Sequence, residues 1–207
     1  MKRLKDLSFR GKLLLAFLLI GVVPLLIFTV LMLNIFRVTL AGNARDAAEL
    51  ELDGAAAGFD ALFSEGILVL DELAGDGLIR GSLLLPGKVT PQSVYDSLYS
   101  LSVKLRGRSD FALYGDDGEL LYSTGTATDS LSTSWGLLHA AAETEGTVFA
   151  GNPGRALAAR AVWYGGVPIG YAVMSLDTGQ LSELFSVYED AGGLILLDPY
   201  WDEVYQS

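Results

Sequence analysis

Cysteine is absent from the 207 residues, which excludes a disulfide framework, a thiolate metal cluster and a thiol nucleophile. Histidine occurs once, at His139, so a histidine-based triad or a multi-histidine metal site has no second member. No phosphate loop or dinucleotide fingerprint is present; Gly192-Gly193 alone carries no such meaning. Positive charge is scarce after residue 36. The chain has 14 Lys and Arg against 25 Asp and Glu, and its first 36 residues take five of the bases and one acid. Residues 37–207 therefore hold 9 bases and 24 acids, a net charge of −15. Such a surface is unsuited to nucleic acid or to an anionic lipid face. Paired acids such as Asp116/Asp117 or Glu143/Glu145 have no opposing carboxylate marked in the sequence for acid–base work. Catalysis and a bound cofactor are not expected of this chain.

What is present begins with Leu13 to Phe36, 24 residues without a charged side chain. As a helix at about 1.5 Å per residue, that run is long enough to cross a ~30 Å hydrocarbon layer. A cleaved signal peptide has an apolar core of only about 7–15 residues, so an uncleaved anchor is the expectation, although Leu40-Ala41-Gly42-Asn43-Ala44 offers a small-residue site. The basic flank Lys2, Arg3, Lys5, Arg10 and Lys12, against Asp6 alone, places the N-terminus in the cytoplasm and residues 37–207 outside the cell membrane.

From Val38 to Leu73 the pattern predicts a helix leaving the membrane. Apolar or small residues at Val38, Ala41, Ala48, Leu52, Ala55, Phe59, Leu62, Gly66, Val69 and Leu73 make one stripe, with Asp46, Glu49, Glu51, Asp53, Asp60 and Asp71 opposite. The stripe suits either a helix covering a domain core or the seam of a parallel homodimer. The glycine-rich stretch Gly75 to Gly87 breaks the helix; Thr90-Pro91 starts another, with Val94, Leu98, Leu101 and Leu105 on its buried face.

Beyond Arg108 the period becomes two. Phe111 to Tyr114 and Glu119 to Tyr122 flank an Asp-Gly turn and predict a hairpin, with Asp116 and Asp117 as turn chemistry rather than a calcium loop. A polar loop over 124–134, a short helix over 135–145 and a strand over 146–149 follow. Ala156 to Val162 and Val167 to Leu176 form the clearest strand pair, around a turn at Trp163 to Gly166. Asp177-Thr178-Gly179-Gln180 has the form of a capping box opening a helix through Leu181, Leu184 and Phe185. Residues 192–198 and 203–205 predict two further strands around a turn at 199–202. They repeat the scheme of 111–122, so a second module is expected to begin there, the chain being a fragment. The expected order is a basic tail (1–12), a transmembrane helix (13–36), a stalk helix (37–74), a PAS-like module (75–190) and the start of a second (191–207). The fold class is α+β.

This order of parts resembles the extracellular sensing region of bacterial transmembrane receptors with double-Cache domains. Leu7 to Ile20 with Pro24 to Ile27 is similar to the membrane anchors of Gram-positive sensor histidine kinases. Phe111 to Ser123 resembles the family's strand–turn–strand, Gly165 to Leu181 its hairpin, exit strand and connecting helix, and Gly193 to Tyr205 the start of its second module. The family's amino-acid-binding pattern is not met in order, and Ser175 stands where many relatives carry an aspartate. The resemblance implies an exterior sensor for a small molecule, with a histidine kinase as first choice of output and a diguanylate cyclase or chemotaxis transducer behind it. A single-span anchored binding protein fits the acidic surface equally well. Tyr114, Tyr122, Trp135, Arg160, Trp163 and Tyr171 are the candidate ligand-binding residues, Arg160 as a guanidinium clamp on a carboxylate. The same aromatics are also what a core would use, and an arginine in a strand can simply face water.

Overall fold

The computed structural model describes residues 9–191, 193–198 and 201–206. Lys2, Arg3, Lys5 and Asp6 of the basic flank, Gly192 of the expected strand, and Pro199 and Tyr200 of the expected turn lie outside them. The chain divides into two compact units, residues 1–50 and 51–207.

Helix α1 (Phe9–Phe17) passes through a π turn (Leu18–Val22) into α2 (Val23–Gly75), of which the residues up to Leu50 belong to the first unit and the rest to the second. The π turn has a cause in the sequence. Pro24 has no N–H and crowds the carbonyl four residues back, and the ladder widens just before it, Val23 N–H donating to the Leu18 carbonyl. One helical run among the described residues, Phe9–Gly75, is long and apolar enough to cross a membrane; its most apolar window reaches a mean hydropathy of 2.9.

The second unit is an antiparallel sheet with helices, the α+β class expected. β1 (Asp110–Gly115), β2 (Leu120–Ser123), β3 (Val148–Asn152), β4 (Arg155–Tyr164) and β5 (Val167–Asp177) align in the order β2-β1-β5-β4-β3. The β4–β5 turn has Gly165 and Gly166 at φ 60° and 84°, the paired positive values of a type I′ hairpin. One face of this sheet packs on the stalk part of α2 and on α3 (Gly77–Leu84) and α4 (Pro91–Lys104). Leu70, Leu73, Ile79, Leu98, Phe111, Met174 and Leu176 form its core. The predicted stripe is buried from Ala55 upward, at Leu62, Gly66, Val69 and Leu73, while Leu52 is exposed. Gly66 matters here because a Cβ would lie 2.3 Å from the Met174 sulfur.

Helix α3 corrects the reading of 75–87 as a broken stretch. Asp76 caps it, its Oδ1 accepting from Leu78 N–H (2.6 Å) and Ile79 N–H (3.2 Å), and Ile79 is fully buried. Cap and burial outweigh the glycine penalty of about 1 kcal/mol per residue. Helix α4 starts at the Thr90 cap as expected, and α6 (Thr178–Phe185) at the full Asp177/Gln180 capping box, with bonds of 2.9 and 2.8 Å. After a 3₁₀ turn (Ser186–Ala191), β6 (Ile195–Leu197) and β7 (Glu203–Gln206) form a separate two-stranded sheet. Tyr188 rests against Gly54, where a Cβ would come within 3.0 Å of its ring.

Candidate functional site

The other face of the five-stranded sheet is covered by α5 (Gly136–Glu143) and the loop over 124–134. By strand alternation Ala112 and Tyr114 of β1, Leu157, Ala159, Ala161 and Trp163 of β4, and Tyr171 and Val173 of β5 point there. The central strands contribute alanines, small enough for α5 and the loop to pack closely on the sheet, and the aromatics stand around them. Leu131, Leu138 and Ala141 close the face from above.

The cover is tied down by the hairpin. Leu120 N–H donates to the Asp129 carbonyl (2.8 Å), Leu131 N–H to the Gly118 carbonyl (2.9 Å), and the Tyr114 hydroxyl to the Thr128 carbonyl (3.0 Å). Burial raises the Tyr114 and Tyr171 phenols above their usual range, Arg155 opposing the shift at Tyr114 and Asp116 adding to it at Tyr171.

At one end of this face sits a polar cluster. Asp110 opens β1 opposite Ser175, and Arg155 opens β4 opposite Asp177. Gly125 of the covering loop is pressed on the Asp110 carboxylate so closely that a Cβ would fall 2.2 Å from it. Burial first, and Asp177 second, push the Asp110 carboxyl above its usual 3.8; the Arg155 charge and a hydrogen bond with the Gln180 side chain pull it back. The folded chain thus holds this proton more tightly than the unfolded one. Its contribution to stability is present below 3.8 and is lost as pH rises through the higher folded value. Asp110→Asn is expected to flatten that loss, in urea midpoints taken from pH 3.5 to 7. Parallel curves for the two proteins would refute the assignment.

The six residues expected from the sequence separate in the structure. Tyr114, Trp163 and Tyr171 come together on the covered face. Tyr122 lies on the other face, edge-on to Tyr95 with ring centroids 5.4 Å apart. Arg160 also leaves the covered face, its Nη1 2.8 Å from Asp71 Oδ1 of the stalk. Trp135 is 73% exposed. Asp110, Arg155 and Asp177 were missed. Their signal is a charged residue at the end of a strand, in step with Ala112, Leu157 and Val173 by alternation. Among the described residues, no group of three or more His, Asp or Glu gathers where a metal ion would sit.

The fold is similar to that of ligand-binding sensor domains of bacterial chemoreceptors and histidine kinases. The ligand-binding domain of the Campylobacter jejuni chemoreceptor Tlp3, solved with L-valine, is similar at a TM-score of 0.57 and 13% identity, over 81% of this chain and 72% of that one. The sensor domain of the V. cholerae histidine kinase DctB is similar at a TM-score of 0.52 and 14% identity, over 66% and 57%. The extracellular domain of the histidine kinase described as rpHK1S-Z16 is similar at a TM-score of 0.52 and 19% identity, over 81% and 75%. No family model matches the sequence, and no curated protein matches it.

Proposed function

We propose that this chain is the extracellular ligand-sensing part of a transmembrane signalling receptor, anchored by Leu13 to Phe36 with its N-terminus in the cytoplasm. The observation that carries the reading is the covered face, in a fold similar to sensor domains: Tyr114, Trp163 and Tyr171 lie along it, and the Asp110, Arg155 and Asp177 cluster stands at the opposite end of its strands from Trp163. A covered face with aromatic side chains along it and a few charges at one end suits a small polar molecule whose charged group faces the cluster once the cover opens. The shares 1–12, 13–36, 37–74, 75–190 and 191–207 remain the proposed division, with 191–207 opening a second module. A histidine kinase is the favoured output, supported by the resemblance of the anchor and by the kinase sensor domains among the similar folds. A homodimer through the stalk is part of the reading, supported by exposed Leu52 below the buried stripe.

The test is a thermal-shift screen of the full chain in nanodiscs against amino acids and small carboxylates. A ligand at 100 times its Kd stabilises a fold by about 2.7 kcal/mol, or about 5–10 °C for a unit of this size. The expected result is a shift confined to one chemical class and lost in Arg155→Gln. Cooperative unfolding with no shift from any compound would sink the sensor reading and leave an anchored binding protein.

A further inference from the structure

We infer that a second site, for a compact multivalent oxyanion, lies in the groove between the stalk and the end of α4. It is distinct from the covered face and does not depend on it. Of the nine bases after residue 36, three fall within five residues: Lys104, Arg106 and Arg108. They line one hollow of about 380 Å³, whose floor is Val69 and Leu105 and whose stalk wall carries Glu65, Leu68 and Glu72.

The charges in that hollow do not cancel one another. Lys104 Nζ is 2.5 Å from Glu72 Oε2, which occupies both groups. Arg106 and Arg108 have no carboxylate within 4 Å among the described residues; Glu65 and the paired Glu72 share their hollow from the stalk, and Glu183 of α6 shares a second hollow with Arg108. Two exposed guanidiniums with no ion pair among the described residues thus line one hollow on a domain of net charge −15.

Helix capping does not explain them. The turn after α4 is closed by backbone alone in a Schellman arrangement, Arg106 N–H donating to the Val103 carbonyl (2.9 Å) and Gly107 N–H to the Ser102 carbonyl (3.3 Å). The position filled by Arg106 is the left-handed one, φ 56°, where glycine is the ordinary residue. An arginine there is less favourable to the fold than a glycine, and no ion pair of its side chain among the described residues offsets that cost. Guanidiniums recognise phosphate and carboxylate oxygens through paired N–H donors, at roughly twice the strength of neutral hydrogen bonds. A polyphosphate or a di- or tricarboxylate has the charge density to span both.

The test uses the full chain in nanodiscs of zwitterionic lipid, titrated by calorimetry with pyrophosphate and with citrate at constant ionic strength. Saturable binding is expected, weakened at least about tenfold in Arg106→Gly/Arg108→Gln. Arg106→Gly alone is expected to fold with an unchanged or higher Tm while losing affinity, which separates binding from stability. Pyrophosphate binding without citrate binding assigns a phosphate ligand; the reverse assigns a carboxylate. Absence of saturable binding, equal affinity in the double variant, or a response that follows ionic strength alone would overturn the site.

Discussion

Gly118→Ala is expected to be among the most damaging single-methyl changes in the exterior domain. Gly118 holds φ +83° in the Asp-Gly turn, and an added Cβ would lie 2.0 Å from the Leu131 carbonyl oxygen. That oxygen belongs to backbone, and the loop around it is fastened to the hairpin by three hydrogen bonds, so it cannot rotate away as a side chain would. Left-handed strain contributes about 1–3 kcal/mol and the overlap about 1–3 more. A loss of about 2–6 kcal/mol would lower Tm by roughly 5–20 °C. Amide exchange should also rise across 124–134, because the loop is levered off Tyr114. A Tm within about a degree of the parent, with unchanged exchange, would show that the hairpin does not hold the cover down.

The second large effect is expected at Phe185, whose ring joins three elements. It lies 6.1 Å from Phe59 of the stalk and 5.6 Å from Tyr205 of β7, and is 2% exposed at the end of α6. Truncating a buried phenylalanine to alanine costs about 3–5 kcal/mol. Phe185→Ala is therefore expected to destabilise the whole unit and, before global unfolding, to free the β6–β7 hairpin, seen as faster protease cleavage within 193–206. Destabilisation without faster cleavage there would mean that Val204 and Tyr205 are held by contacts other than this ring.

Most of the architecture is legible because it rests on period. The hairpins at 111–122 and 156–176, the stalk stripe above Ala55 and the capping box at Asp177 each follow from spacing or cap chemistry alone. Helix α3 is illegible for the converse reason: Gly77 and Gly81 give it poor propensity, and only the burial of Ile79 shows why it forms. The site is harder, because residue type says nothing of face. Tyr122 shares its parity with Leu120, yet Leu113 pairs with Tyr122 and Tyr114 with Leu120, leaving Leu121 as an extra residue. That bulge turns Tyr122 to the stalk face while Leu120 stays beneath the cover. Arg160, read as a ligand clamp, alternates with Ala158 and Val162 toward the stalk, where Asp71 meets it. Trp135 was favoured as an aromatic, but it precedes α5 rather than lying on it, and its ring stays in solvent.

The strand order has a consequence for how such a domain is reused. β1 and β5 are neighbours, and Asp110 at the start of the sheet pairs with Ser175 near its end. The polypeptide leaves the five-stranded sheet one strand spacing from where it arrived, about 4.8 Å away. Everything between is a closed excursion. Its loops can lengthen, its covered face can be rebuilt, or the whole excursion can be exchanged for another, without shifting the helices on either side. Exchanging residues 110–177 for the matching segment of a similar fold would thus leave the flanking helices where they are.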